Sequence, residues 1–249
     1  MDGGAAKHIA SLCTLADRPA VVEIGAGTGT LTRALLEAGA RVTAVEIDPE
    51  LAALLHSAAE LSAARIVCAD ALEFDYGSAA GGKPWCAAGN LPYNIATPLV
   101  VRWLTRAPEP QRIVVMVQRD VADRFIAKPG TPAYGSLSLL VRYHTLARRA
   151  FVLGPGAFYP RPRVDSAVVV MERRTAPAVS ARDPEFFWQV VRAAFAYRRK
   201  TFANSIGLAL GIERARTQRA LAKLELDSEI RAEQLDLGAF AALADELAF

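Results

Sequence analysis

Cysteine is scarce in this chain. Cys13, Cys68 and Cys86 are the only three, an odd number, and no two of them form a CxxC pair. That excludes a disulfide framework and a cysteine-built zinc site, and it reads as reduced thiols of a cytoplasmic protein, most of them core filling. Histidine is as rare: His8, His56 and His144 show no metal-ligand spacing and read as structural. No metal is expected. No apolar run approaches the ~18 residues a membrane helix needs. Asp2 and two glycines behind Met1 do not make the basic-then-apolar start of a signal peptide. There is no internal repeat and no low-complexity segment. What remains is 249 residues, 52% of them hydrophobic, enough for one large domain with a small appendage.

The net charge of +3 conceals a segregated pattern. Residues 1–100 and 221–249 are both net acidic, whereas residues 142–220 hold 15 basic side chains against 5 acidic ones. Lysine is nearly absent from that basic block, since fourteen of the fifteen are arginine. Arginine suits bidentate phosphate contact, so the block points to a nucleic-acid backbone more than to a solvated helical face.

Apolar, β-branched strands are expected at Ala20–Ile24, Arg41–Val45, Arg65–Cys68, Trp85–Ala88 and Arg112–Val117, with helical stretches of about ten residues between them. That alternation predicts βαβ units and a parallel sheet, hence an α/β, Rossmann-like fold. Leu137–Tyr143 and Val164–Met171 read as further strands, the second as an antiparallel partner at the sheet edge. From Asp183 onward the chain reads all-helical. The polar stretch Arg174 to Arg182 places the boundary, giving domains 1–175 and 176–249.

The first expected strand runs straight into Gly25-Ala26-Gly27-Thr28-Gly29, and Glu23 precedes it to complete an E-x-G-x-G-x-G run. Glycines let the backbone pass close to a ligand, and Glu46, ending the next strand, can hold a ribose's hydroxyls. Read as a dinucleotide fingerprint, the third glycine position falls on Thr30, which disfavours a pyrophosphate. S-adenosylmethionine has none and tolerates the looser turn. Asp70, ending the third strand, can accept from an adenine amino group beside a backbone donor at Ala71, and Ile47 can pack on the adenine face. The cofactor set is therefore Gly25, Gly27, Glu46, Ile47, Asp70, Ala71 and Asn90.

The fourth strand end carries Asn90-Leu91-Pro92-Tyr93. An amide, a fixed proline and an aromatic ring within four positions suit a planar base with an exocyclic amine: Asn90 accepts from the amine and Tyr93 stacks on the ring. A purely structural alternative makes Asn90 a helix cap and Pro92 a turn residue.

Val22 to Thr32, Asn90 to Pro98, Met116 to Arg119, Pro129-Gly130, Tyr134-Gly135 and Phe158 to Val168 together resemble the ribosomal RNA adenine dimethyltransferases. Within them Ala194 to Thr201, with Asn204-Ser205 and Arg231-Ala232-Glu233, is similar to the KsgA-type small-subunit enzymes. The resemblance implies a class I S-adenosylmethionine methyltransferase domain followed by a small helical domain that binds RNA or the ribosome. It implies dimethylation at N6 of two adjacent adenosines of small-subunit (16S) rRNA during ribosome biogenesis, by a cytoplasmic monomer acting on a pre-30S particle, away from any membrane. Asn90, Leu91, Pro92 and Tyr93 are then catalytic, with the Asn90 Oδ1 and the Leu91 or Pro92 carbonyl accepting the N6 hydrogens. Phe158 is by resemblance a second stacking ring. Arg161, Arg163, Arg198, Arg199 and Lys200 are the RNA-contact candidates.

Family members carry a Gln-Asn/His-Phe-Leu motif ahead of the segment matching Asp2 to Ile9, and it is missing from this sequence. Two alternatives stand beside this reading: an Erm-type large-subunit enzyme, which shares most N-terminal motifs but against which the Arg198-Arg199-Lys200-Thr201 run argues, and a non-catalytic RNA-binding assembly factor, which the missing motif favours.

Overall fold

The computed structural model describes residues 2–14, 19–82, 84–158, 161–197 and 199–248. In chain order the elements are α1 (Gly3–Leu12), β1 (Ala20–Ile24), α2 (Thr30–Glu37), β2 (Arg41–Glu46), α3 (Pro49–Ser57), β3 (Arg65–Cys68), α4 (Tyr76–Ala80), β4 (Trp85–Asn90), α5 (Tyr93–Thr105), β5 (Arg112–Gln118), α6 (Arg119–Ile126), α7 (Ser136–His144), β6 (Thr145–Leu153) and β7 (Ser166–Arg173). They are followed by α8 (Pro184–Ala196), α9 (Phe202–Leu210), α10 (Arg214–Lys223) and α11 (Leu237–Leu247).

The strands form one sheet in the order β3-β2-β1-β4-β5-β7-β6. The first five are parallel and β7 runs antiparallel to β5. The order reverses between β1 and β4, and their carboxyl ends are where an open α/β sheet leaves a crevice. β1, β4 and β5 are buried almost throughout because helices cover both faces, which is why they read as nearly continuous apolar runs, broken in β1 by Glu23. Gly89 lets β4 lie close to β1, since a Cβ there would stand 2.5 Å from the Ile24 carbonyl oxygen.

Helix starts follow local capping chemistry. Asp48 accepts the Glu50 and Leu51 amides with Pro49 in the first turn of α3, and Asp75 and Asp183 do the same for α4 and α8. α1 is capped by Asp2, whose own amide donates to the Ala157 carbonyl. Its inner face, Ala6, Ile9, Ala10 and Cys13, joins the core around β1 and β4.

The chain divides into two compact units. One comprises residues 1–122 and 146–173, the other 123–145 and 174–249. A single cut near 175 therefore misses the segment Asp123–Thr145, whose Leu139 and Tyr143 join the core of the C-terminal helices. The strand expected at Leu137–Tyr143 is also corrected, because α7 occupies it. Ser138 Oγ accepts the Gly135 amide and donates to the Arg124 carbonyl, which fixes a helical first turn where Ser-Leu-Ser-Leu mimics strand alternation. The edge position expected for β7 belongs to β6, whose central Arg148 and Arg149 hid it from a hydrophobic reading. In the helical unit, Ser205 Oγ donates to the Ala193 carbonyl and ties α9 to α8, while Phe240 packs against Phe195 and Phe202. Cys13 and Cys86 are buried and Cys68 is exposed. His8 stacks on Phe151, and His144 lies against Tyr143 and Trp188.

Candidate functional site

At the β1–β4 switch point, Glu23, Gly25, Gly27, Thr28, Thr30 and Asn90 are among the residues lining a cleft of about 160 Å³. Gly25 and Gly27 both have positive φ, at 69° and 56°, and an added Cβ at Gly27 would meet nothing within 4 Å, so the turn leaves open space for a ligand. Gly29 serves packing instead. It is the left-handed N-cap of α2, and a Cβ there would come within 2.6 Å of Leu61 and 2.9 Å of Leu55.

Glu46 ends β2 nearly buried, and its carboxylate is already committed. Oε2 accepts the Gly27 amide at 2.8 Å, while Oε1 accepts the amides of Ile47 and Asp48 at 2.9 and 3.1 Å. By lone-pair count, one acceptor position remains on Oε2 for a ribose hydroxyl. Ile47 beside it is 66% exposed, an apolar surface held out by the strand end.

Asp70 is exposed, with Oδ1 accepting the Leu72 amide. Ala71 is buried, and the Tyr76 hydroxyl fixes it by donating to its carbonyl at 2.8 Å. Tyr76 in turn stacks on Trp85 and lies edge-on to Phe74 and Trp103, so an aromatic cluster ties the exit of β3 to the entry of β4. Burial pushes the Tyr76 phenol up to about 12, so it stays a donor.

Asn90 is the last residue of β4 and is exposed in the cleft. It does not cap α5: the N-cap is Pro92, with no side-chain cap, and the Asn90 amide has no hydrogen-bond partner among the described residues. Leu91 is buried and its amide donates to the Met116 carbonyl, which pins the tetrad to β5. The Pro92 carbonyl accepts the Ile95 and Ala96 amides, whereas the Leu91 carbonyl receives no donor among the described residues. Tyr93 opens α5 at 55% exposure.

The structure thus brings Asn90 onto the glycine turn and Glu46 onto Gly27. It leaves Phe158 half-buried against the sheet core, with no ring contact to Tyr93 among the described residues. Arg161, Arg163, Arg199 and Lys200 are exposed, and Arg198 lies outside the described residues. Among the described residues no three His, Cys, Asp or Glu side chains converge to hold a metal, and no helix is long and apolar enough to cross a membrane.

The reading from sequence noted Glu23 but missed its partner. Glu23 is 1% exposed, and Thr32 Oγ1 donates to its Oε2 at 2.6 Å. Burial, with Glu46 adding repulsion, raises its pKa to about 8, so the side chain is largely a neutral acid at pH 7. A nine-residue offset between a strand and the next helix has no local periodic signature.

The curated small-subunit rRNA methyltransferase A of Pseudomonas aeruginosa is 40% identical, covering 99% of this chain and 91% of its own. That of Moorella thermoacetica is 38% identical over 99% of this chain and 89% of its own. Among solved structures, a Plasmodium falciparum dimethyladenosine transferase matches with a TM-score of 0.76 at 21% identity, covering 96% of this chain and 94% of the other. The 23S rRNA methyltransferase ErmE matches with a TM-score of 0.76 at 25% identity, covering 100% and 99%. Its mixed seven-stranded, Rossmann-like sheet is thus a methyltransferase fold. The ribosomal RNA adenine dimethylase model matches residues 2–248, essentially every element that builds the cleft and the helices beyond it, and the chain belongs to that family.

Proposed function

We propose that this protein dimethylates N6 of two adjacent adenosines in small-subunit rRNA, using S-adenosylmethionine, as a monomer acting on a pre-30S particle in the cytoplasm. The observation that carries the catalytic reading is the uncommitted Asn90 amide at the end of β4, lining the cleft that the glycine turn opens. The small-subunit assignment draws on the 38–40% identity to the two small-subunit methyltransferases, against 25% for the large-subunit ErmE.

The residues present fit S-adenosylmethionine. The glycine turn leaves room for a chain without pyrophosphate, Glu46 Oε2 retains one acceptor position for a ribose hydroxyl, and Ile47 offers an exposed apolar surface. Asp70 Oδ2 accepts no donor among the described residues and is available to an exocyclic amine, beside the Ala71 backbone. When bound, S-adenosylmethionine supplies an electrophilic sulfonium methyl group.

The chain's own part is positioning. An adenine N6 is a poor nucleophile because its lone pair is delocalised into the ring. Asn90 Oδ1 accepts one N6 hydrogen and the Leu91 carbonyl accepts the other, since the Pro92 carbonyl is occupied by the first turn of α5. Two acceptors on one face favour a pyramidal nitrogen with its lone pair directed into the cleft. The target base leaves its stack to arrive there, and the exposed Tyr93 ring receives one of its faces. Phe158 would need to turn out of its half-buried place to receive the other. Arg161, Arg163, Arg198, Arg199 and Lys200 take the RNA backbone.

Incubating the protein with undermethylated small subunits and labelled S-adenosylmethionine, then mapping the modified bases, tests this. Label at two adjacent small-subunit adenosines is expected. Label in large-subunit RNA would transfer the assignment to the Erm-type reading. Failure to bind the methyl donor by calorimetry would leave an RNA-binding assembly factor.

A further inference from the structure

In the helical unit a cavity of about 330 Å³ is lined by Thr131 and Pro132 from the loop before α7, by Phe195 near the end of α8, and by Arg199, Lys200 and Glu233. The aromatic wall is fixed in place. Phe195 packs against Phe240 with ring centroids 5.9 Å apart, and Tyr134 meets it edge-on at 6.2 Å. The loop wall is fixed too, because the Gly130 amide donates to the Glu233 carbonyl at 2.7 Å.

The charges of this cavity are not matched among the described residues. Arg33, Arg112, Arg119, Arg173 and Lys223 all pair with carboxylates. Among the described residues, Arg199 and Lys200 stand adjacent and exposed with no carboxylate partner, and the Glu233 carboxylate in the same cavity has no cation. Two unpaired cations, an acceptor and an aromatic wall around a space of ligand size form a complementary set for a nucleotide: phosphate, base edge and base face.

We propose that this cavity is a second nucleotide site, which takes one unpaired nucleotide of an RNA strand. Its phosphate lies on Arg199 and Lys200, its base enters against Phe195 and Pro132, and Glu233 accepts from an amine or ribose hydroxyl. The proposal rests on the reading that the chain acts on rRNA. It goes beyond backbone attraction, because a base still paired in a duplex cannot enter the cavity.

The test is fluorescence anisotropy of the full chain with labelled hexaadenylate and, separately, a labelled RNA hairpin. Arg199→Ala with Lys200→Ala should weaken hexaadenylate and flatten its salt dependence by about 0.7 log units per log unit of salt, the value for one single-strand phosphate contact. Thr131→Leu fills the cavity without changing charge, and should weaken hexaadenylate about fivefold or more while leaving the hairpin unchanged. Thr131→Val, which removes only the hydroxyl bonded to the Lys128 carbonyl, should keep wild-type affinity. Equal affinity of Thr131→Leu and wild type for hexaadenylate, or equal weakening of both probes, overturns the cavity assignment. So does a wild-type chain that does not bind hexaadenylate. Failure of the rRNA reading would appear separately, as wild-type protein that does not methylate small subunits.

Discussion

The Gly27 amide donates to Glu46 Oε2 across 2.8 Å, so the end of β2 holds the glycine turn that follows β1. Glu46 is therefore a part of the turn's architecture, with one acceptor position on Oε2 still open among the described residues. Glu46→Gln keeps the shape but puts a donor where amides already point. Hydrogen bonds to a charged group contribute about 1.5–3 kcal/mol, so the affinity for S-adenosylmethionine should fall roughly 10- to 100-fold. Calorimetric titration checks this, and unchanged affinity would show that Glu46 only shapes the loop.

Asn90→Ala separates chemistry from folding. The side chain is exposed and caps nothing, so the unfolding free energy should stay within about 0.5 kcal/mol of wild type. Turnover should fall by roughly 10²–10³, the range for removing one positioned polar contact to a reacting centre. Single-turnover methylation of small subunits reads the effect. A variant with full turnover and an unchanged ratio of mono- to dimethylated product would refute the proposed role.

Glu23 gives a pH dependence with a definite sign. Burial raises its folded pKa from 4.5 to about 8, so between those values the folded chain holds a proton that the unfolded chain has released. Stability is then fully present at the acidic end, falls as pH rises across that window, and levels off above it. Glu23→Gln removes the proton linkage. The drop in unfolding free energy between pH 5 and pH 8.5 should be smaller in the variant by roughly 2–4 kcal/mol. Denaturant titrations at the two pH values on both proteins measure the difference, and equal drops would place the titration elsewhere.

What could be read beforehand was local. The β1, β4 and β5 runs are largely apolar on both sides of the chain because both sheet faces are covered, so their positions showed in composition alone. The glycine turn, Glu46, Asp70 and Asn90 stood out because each ends such a run. What failed was long-range. Ser138 makes a helix of α7 by bonding to Arg124, fourteen residues away, and Asp123–Thr145 joins the distant C-terminal core. The Glu46–Gly27 bond likewise follows from neighbouring strands being brought side by side, and the Thr32–Glu23 bond from α2 packing back on β1, which no window of the sequence displays.

Gly29 is a second place where the backbone decides. Its φ of 79° disfavours any side chain, and a Cβ would stand 2.6 Å from Leu61 Cδ1. Gly29→Ala combines backbone strain with overpacking and should destabilise by about 2–4 kcal/mol. Gly27→Ala, also at positive φ but with open space around the new Cβ, should cost only about 1–2 kcal/mol of strain. Unfolding titrations of the two variants rank them, and the reverse order would contradict the packing role given to Gly29.

Tyr134 tests the helical unit without touching the cleft. Its hydroxyl donates to the Leu235 carbonyl at 2.8 Å, a bond between positions 101 apart in sequence. Burial pushes the phenol well above its ordinary range, so the hydroxyl remains a donor at neutral pH. Tyr134→Phe keeps the ring against Phe195 and leaves the Leu235 carbonyl without that donor, at a cost of about 1–2 kcal/mol. Amide hydrogen exchange should quicken around residues 130–135 and 232–236, while binding of S-adenosylmethionine stays as in wild type. If exchange changed only in the cleft strands, the bond would not be what holds this loop to the C-terminal helices.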